Sequence, residues 1–323
     1  MTSLFIDRRG VELELEGEAI VFRENGTRLG TVPIAPLTRV FMRGDVTLPA
    51  SLLGKLGENG VGVVILSGRM GRPTLLLARP HNDATRRVAQ IRLSVDQEAS
   101  LAIARDLVER KLTHQIEWLK ELQHISLQTR YEITHALRGL EEARSRISLM
   151  ENAASLRGLE GSAAARYFAG LQTVVPESMG FHGRNRRPPR DPFNVLLSLT
   201  YTLLHAEVAI ALHGAGFDPY VGFYHRLEFG RESLASDLLE PLRPLADQFA
   251  FDLVKKRLLS KDHFSTTAQG CLMGKAGRTH YYAAYGTHSE KLRQRINQEV
   301  DRLAELIDAA AEAQPDPLAW EGE

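Results

Sequence analysis

The stretch GFYHRLEFGRESLASDLLEPLRP, residues 222–244, decides how the second half of this chain folds. Ser233 is a favourable N-cap, so a helix is predicted to begin there and to run to about Leu259. Two prolines lie within this helix. Because proline lacks a backbone donor and clashes with the preceding turn, the helix is predicted to kink just after Glu240.

The same stretch carries residues with metal-binding chemistry. Asp237 and Glu240 are three residues apart, on one face of the predicted helix, and His225 ends the apolar turn before it. Two carboxylates and an imidazole favour Mg²⁺ or Mn²⁺ over Zn²⁺, which usually takes more nitrogen or sulfur ligands. The spacing also fits an ordinary helix start with a solvated Glu240 and a hydrogen-bonded loop histidine, so both interpretations stay open here.

A further carboxylate comes from the segment ENAASLRGLEGSAAARYFAGL, residues 151–171. Its alanines and glycines allow helices to pack closely, and Glu160 lies among them with no evident solvated face. The candidate site therefore consists of Glu160, His225, Asp237 and Glu240. A hard divalent ion held by such ligands can activate an oxygen nucleophile and neutralise the charge of a phosphodiester.

The loop PESMGFHGRNRRPPRDP, residues 176–192, concentrates positive charge. Its glycines and prolines predict an exposed connection between helices. Guanidinium groups match the geometry of phosphate oxygens, so the loop is a candidate phosphate-binding element. A loop that only aids solubility is the alternative. The arginines concerned are Arg184, Arg186, Arg187 and Arg190.

Residues 1–85 are predicted to form a small β domain. Short β-prone runs follow one another, and some alternate with glutamates, as half-buried strands do. Asn25-Gly26 between two such runs predicts a tight hairpin.

Residues 86–323 are predicted to form a larger all-α domain, which makes the fold class α+β. Apolar residues three and four apart between Leu101 and Leu122 predict a long amphipathic helix. Residues 265–288 are predicted to be irregular, and residues 290–313 to form the final helix.

Composition narrows the function classes. Lysine and arginine together number 40, as do aspartate and glutamate, so a nucleic-acid-binding protein of this composition must gather its positive charge locally. Cys271 is the single cysteine, which excludes an intrachain disulfide and a cysteine-based zinc site. Arg8-Arg9 has no apolar stretch after it, so it is not a twin-arginine signal. No signal peptide is expected, and the apolar run 195–212 is broken by polar residues. A cytoplasmic protein without a membrane span is predicted.

Four segments follow one another in the order, and at roughly the spacing, of the CRISPR-associated adaptation integrase family, whose members are the first Cas protein. They are GLEGSAAARYF (158–168), DPFNVLLSLTYTLL (191–204), GFDPYVGFYH (216–225) and SLASDLLEPLRP (233–244). The N-terminal half also resembles that family, notably in VPIAPLTRV and in the apolar strand before SGRMG. The resemblance covers nearly the whole chain.

The resemblance implies a fold and a reaction. Members of the family have a small β domain, through which two copies pair as a homodimer, and a larger helical domain. Two dimers flank a dimer of a small second Cas protein and bind a short DNA duplex. The 3′-hydroxyls of that DNA then attack a CRISPR repeat in a metal-dependent transesterification.

The resemblance also assigns roles to the candidate residues. It implies that Glu160, His225 and Glu240 hold Mg²⁺ or Mn²⁺, and that Asp237 has a supporting or catalytic role. Many relatives have aspartate where this chain has Glu240, which is one methylene longer and still a hard ligand. The four arginines of the loop match only the general position of basic residues in the family. A catalytically silent DNA-binding scaffold is the alternative function.

Overall fold

The computed structural model describes residues 2–67, 72–77, 84–124, 128–185, 188–225 and 228–312. Within them, strands come first and helices follow, as the α+β prediction requires. The N-terminal part contains two four-stranded sheets and one helix, α1 (Ala50–Glu58).

The first sheet has the strand order β1-β5-β7-β8, in which β1, β5 and β7 are parallel and β8 is antiparallel. Its strands are β1 (Thr2–Asp7), β5 (Leu37–Arg43), β7 (Gly62–Ser67) and β8 (Arg72–Leu76). Because β1, β5 and β7 run in the same direction, their carboxyl ends meet at one edge of the sheet.

The second sheet has the order β4-β3-β2-β6. Its strands are β2 (Val11–Glu16), β3 (Ala19–Glu24), β4 (Thr27–Pro33) and β6 (Val46–Thr47). Asn25 and Gly26 join β3 to β4 with φ values of 50° and 79°. Both angles are positive, as a tight hairpin turn requires, so the hairpin predicted from Asn-Gly is confirmed.

The C-terminal part is mainly helical. Its helices are α2 (Thr85–Val95), α3 (Gln97–Leu122), α4 (Arg130–Ser145), α5 (Ala153–Gln172), α6 (Pro192–Gly214), α7 (Ser233–Leu239), α8 (Arg243–Lys255) and α9 (Lys275–Glu312). The predicted amphipathic helix is α3, whose apolar stripe is buried at Leu107, Leu112 and Leu119. The predicted kink is also confirmed, because a 3₁₀ turn at Glu240–Leu242 separates α7 from α8.

The expectation that residues 265–288 are irregular is wrong. A hairpin of β9 (Phe264–Thr267) and β10 (Gly270–Met273) occupies the first part, and α9 begins at Lys275. Tyr281 and Tyr285 on this part of α9 are fully buried. Their packing in the core stabilises a helical segment that alanines, glycines and threonines do not mark clearly in the sequence.

The first sheet contributes to the core of the helical region, and a second hydrophobic cluster lies entirely within the strand region, between Ile6 and Val63. Phe41, Val64 and Leu66 of the first sheet belong to the same hydrophobic cluster as the helices. Arg39 of β5 also donates a hydrogen bond of 2.8 Å to the buried Glu207 of α6. The division at residue 85 therefore marks a change of secondary structure, and as a domain boundary it stays a prediction.

Helix α6 is the one helix, among the described residues, that is long and apolar enough to cross a membrane. Of its most apolar window, 67% is buried inside the protein. Its N-cap Asp191 accepts a hydrogen bond from the amide of Asn194, and Pro192 occupies the first turn. These features are those of a core helix.

Candidate active site

Asp237 organises the loop that precedes α7. Its side chain is fully buried, and its Oδ2 accepts hydrogen bonds from the amides of Phe223 and Tyr224 at 2.6 and 3.0 Å. Its Oδ1 accepts hydrogen bonds from the amide of His225 at 2.8 Å. A Cβ on Gly222 would lie 2.7 Å from Oδ2, so glycine is required for the loop to approach this closely. One carboxylate thus shapes the backbone that carries the histidine.

The ring of His225 is oriented by the same carboxylate. Its Nδ1 lies 2.6 Å from Oδ1 of Asp237, and its Nε2 lies 3.9 Å from Oε1 of Glu240. An imidazole whose Nδ1–H is held by a carboxylate presents Nε2 as a lone-pair donor, which is the usual arrangement behind metal-ligating histidines.

Glu240 occupies the 3₁₀ turn at the kink, where its side chain is buried. Its Oε1 accepts a hydrogen bond of 2.9 Å from Nε of Arg243, and its Oε2 accepts one of 2.6 Å from Nζ of Lys111. Burial alone raises the pKa of the Glu240 carboxyl, but the positive charges of Arg243 and Lys111 outweigh it and hold that pKa well below the usual range. Glu240 is therefore an anion in the folded protein.

Lys111 is a central residue of the site that the sequence interpretation missed. Its side chain projects from α3, is only 6% exposed, and donates to both Glu160 and Glu240. Burial lowers the pKa of Lys111, but these two carboxylates raise it by more, so the net direction is upward. A signal was present: Lys111 interrupts the apolar stripe of α3, where a charge is expected only if it is paired.

A second layer of polar groups supports Glu240. The guanidinium of Arg243 lies 4.7 Å from the ring centre of Tyr201. The hydroxyls of Tyr201 and Tyr167 both donate to the buried Asp247, the latter at 2.8 Å. Burial raises the pKa of Asp247 to about 6. This network holds Tyr201 in place under the guanidinium of Arg243, and Arg243 in turn limits the positions that the Glu240 side chain can adopt.

The structure brings the predicted ligands together, although not as an open metal cage. Among the described residues, no cluster of three or more histidine, cysteine, aspartate or glutamate side chains has metal-binding geometry. Instead, the ammonium of Lys111 lies between Glu160 and Glu240. It supplies positive charge beside the buried Glu240 and the partly buried Glu160, and so it stands in for a metal cation. The donor set of two carboxylates and a prepared imidazole fits a hard divalent ion.

The arginine loop is only partly described. Arg186 and Arg187 lie outside the described residues. The guanidinium of Arg184 donates hydrogen bonds to Asn194 at 2.7 Å and Ser198 at 3.1 Å, both on α6. Arg190 is exposed. Arg184 thus attaches the loop to α6, while the phosphate-binding role of the four arginines stays a prediction.

Comparisons with known proteins agree with this fold. The family model described as CRISPR associated protein Cas1 matches residues 4–287. The CRISPR-associated endonuclease Cas1 1 of Thermodesulfovibrio yellowstonii is 36% identical over 95% of this chain and 97% of its own length. The CRISPR-associated endonuclease Cas1 3 of Thermus thermophilus is 35% identical over 79% of this chain and 77% of its own length.

Solved structures show the same architecture. A Cas1 protein from Thermotoga maritima superposes with a TM-score of 0.82 at 23% identity, covering 95% of this chain and 97% of its own. A chain of a Cas6-RT-Cas1–Cas2 complex has a TM-score of 0.78 at 25% identity, covering 95% of this chain and 35% of its own. The chain belongs to the CRISPR-associated Cas1 family.

Proposed function

We propose that this protein is a metal-dependent DNA integrase and endonuclease of CRISPR spacer acquisition. It joins the 3′-hydroxyl ends of short DNA duplexes to a CRISPR repeat. The proposal is carried by one observation: Glu160, His225 and Glu240 come from separate elements and meet around the ammonium group of Lys111. Asp237 contacts the other ring nitrogen of His225. The names of its relatives, which are CRISPR-associated endonucleases, support the same reaction class.

The reaction is a transesterification. The 3′-hydroxyl of the incoming strand gives up its proton, and its oxygen forms a new bond to the phosphorus of the repeat. The bond from that phosphorus to the original 3′-oxygen breaks, and this oxygen leaves with a proton, so no net proton is gained or lost. Because the DNA supplies the nucleophile, the protein needs no serine or cysteine for this step. Hydrolysis is the same exchange with water in place of the hydroxyl.

The chain's own residues prepare this exchange. Glu160, Glu240 and Nε2 of His225 would hold Mg²⁺ or Mn²⁺, which when bound neutralises phosphate charge and lowers the pKa of a coordinated oxygen. Asp237 keeps Nδ1 of His225 protonated and Nε2 free to donate its lone pair. Arg243 holds Glu240 ionised.

The proposal includes partners and a location. Double-stranded DNA is the substrate, a second copy pairs as a homodimer, and a small second CRISPR-associated protein completes the assembly in the cytoplasm. A Cas1-containing chain of similar fold is part of a complex with Cas2, which supports the last partner. The mostly buried α6 gives no reason to expect a membrane.

The test compares strand transfer by wild-type protein and by the variants Glu160→Gln, His225→Asn and Glu240→Gln. We expect each variant to lose strand transfer in Mg²⁺ or Mn²⁺ and to keep duplex binding. The exposed Glu141→Gln on α4 is the matched control and should keep full activity. Full activity of the site variants, or of the wild type in EDTA, would contradict the proposal.

The position of Lys111 between the two carboxylates supports one alternative function. Because Lys111 already pairs with both Glu160 and Glu240, a catalytically silent DNA-binding scaffold is the second candidate function. Calorimetry separates the two: uptake of Mn²⁺ that is lost in Glu240→Gln supports the enzyme, whereas duplex binding without any metal uptake supports the scaffold.

A further inference from the structure

Tyr224, the residue before the candidate ligand His225, carries a buried hydroxyl group that pairs with no described residue. Tyr224 is only 3% exposed, and its hydroxyl oxygen has no hydrogen-bond partner in the part of the chain that the structure describes. The hydroxyls of Tyr167 and Tyr201, in contrast, both donate to Asp247. Because an unpaired buried hydroxyl costs free energy, we expect the Tyr224 hydroxyl to gain a partner when the site binds its ligand.

The contacts that orient His225 also fix the position of Tyr224. The amide of Tyr224 donates a hydrogen bond of 3.0 Å to Oδ2 of Asp237, and its carbonyl accepts one of 3.1 Å from the guanidinium of Arg157. Its ring packs edge to face against the ring of His225, with the ring centres 5.2 Å apart. Tyr224 therefore cannot turn towards another partner without disturbing the loop that carries the histidine.

Tyr224 lies against the turn of α5 that carries Glu160. Arg157, which donates to Tyr224, precedes Glu160 by three residues, so both project from the same side of this helix. Burial raises the pKa of the Tyr224 hydroxyl above its usual range, and the negative charge of Glu160 raises it further. Glu160 accepts a hydrogen bond from Lys111 through Oε1, whereas its Oε2 accepts none from the residues described. The site thus contains one unpaired donor and one unpaired acceptor.

The three candidate ligands differ in their supporting partners. Two of them have a partner that lies outside the place of the cation. They are His225, paired with Asp237, and Glu240, paired with Arg243. Glu160 has Lys111, whose ammonium lies between the two glutamates, where a metal ion would bind. Because carboxylates that bind a metal are usually held by a further hydrogen bond, Glu160 requires a second donor once an ion takes that place.

We propose that Tyr224 is a positioning residue for the candidate metal ligand Glu160. When a divalent ion replaces the ammonium of Lys111, the Tyr224 hydroxyl donates a hydrogen bond to the Glu160 carboxylate and holds it towards the ion. This bond pairs the free donor with the free acceptor, and the phenol keeps its proton throughout. The inference rests on the proposed function for the presence of the ion, and it adds a residue that the sequence interpretation did not include.

The experiment uses Tyr224→Phe, which keeps the ring against His225 and removes the hydroxyl alone. Calorimetry measures the affinity for Mn²⁺, and urea unfolding in EDTA measures the stability of the metal-free protein. We expect Mn²⁺ affinity to fall about 10–100-fold, as for the loss of other partners of metal ligands. The urea midpoint in EDTA should not fall, because the hydroxyl has no described partner in the metal-free protein. A purely structural role would lower the midpoint and leave the Mn²⁺ affinity unchanged.

Tyr285→Phe is the matched control. Tyr285 is also fully buried, and its hydroxyl also has no partner among the described residues. Its ring contacts Phe5 and Phe41 of the first sheet instead of the candidate ligands. The control should keep the wild-type affinity for Mn²⁺ and the wild-type rate of strand transfer.

The outcomes separate this inference from the proposed function. If the wild type binds Mn²⁺ and Tyr224→Phe binds it equally well, the inference is overturned and the proposed function stands. Loss of strand transfer with unchanged Mn²⁺ affinity would assign the hydroxyl to the DNA, and a lower urea midpoint in EDTA would assign it to the metal-free fold. Either result would also overturn the inference. A wild type that binds no Mn²⁺ would contradict the proposed function, and this inference with it.

Discussion

Replacing Lys111 by methionine tests whether its ammonium group balances the negative charge of the candidate active site. Methionine has nearly the same length, carries no charge and fits the apolar stripe of α3. The substitution removes the ammonium that pairs with Glu160 and Glu240. Without metal we expect the variant to be less stable than the wild type, and with metal we expect it to bind the ion more tightly, because no resident cation has to be displaced.

The magnitude follows from burial. Lys111 and Glu240 each have side chains only 6% exposed, and removing one partner of a buried ion pair costs about 3–5 kcal/mol. The free energy of unfolding of the metal-free variant should fall by up to that amount, because Arg243 still pairs with Glu240. A divalent ion that takes the place of the ammonium should restore part of this lost free energy. If it restores only about 1.4 kcal/mol, the metal dissociation constant of the variant is tenfold lower than that of the wild type.

The assay combines urea unfolding in EDTA with calorimetric titration of Mn²⁺. Lys120→Met is the matched control, since Lys120 lies on the same helix, is 58% exposed and makes only a surface pair with Glu141. It should change neither quantity. Weaker or unchanged Mn²⁺ binding by Lys111→Met would refute the reasoning, and would mean that the ammonium does not occupy the position of the cation.

Three further predictions concern the surroundings of the site. Asp237→Asn should weaken Mn²⁺ binding about 10–100-fold by calorimetry, because Nδ1 of His225 loses its carboxylate partner. Gly222→Ala should lower the free energy of unfolding by about 1–3 kcal/mol, because its Cβ would lie 2.7 Å from Oδ2 of Asp237, whereas the unobstructed helical Gly54→Ala should not lower it. Burial raises the pKa of Asp247 from 3.8 to about 6, so the folded state binds this proton more tightly than the unfolded state. The stability of the wild type relative to Asp247→Asn should therefore fall by roughly 3 kcal/mol as the pH rises from about 4 to above about 6. Urea titrations of both proteins across this range measure the difference, and a pH-independent difference would contradict it.

Local rules predicted much of the fold. The Asn25-Gly26 hairpin and the kink after Glu240 both depend on backbone preferences of a few adjacent residues. Such preferences act at short range and can be read directly from the order of residues. Helix α7 starts near the predicted place, but its N-cap is Glu232 and Ser233 is its first helical residue, so the prediction that Ser233 caps the helix is wrong. The first half of α9 was missed because its stability comes from burying Tyr281 and Tyr285, which is a long-range effect.

The candidate site also combines features that can be read from the sequence with features that depend on long-range packing. The sequence by itself determined the chemistry available, because two glutamates, an aspartate and a histidine could be singled out by their residue types and by family resemblance. Only the tertiary structure decided what lies between them. Lys111 is 49 residues from Glu160 and 129 from Glu240, and no local rule connects residues so far apart. The buried Glu240 and the partly buried Glu160 require a nearby positive charge, and the packing of α3 against α5 and the α7–α8 kink determines which side chain provides it.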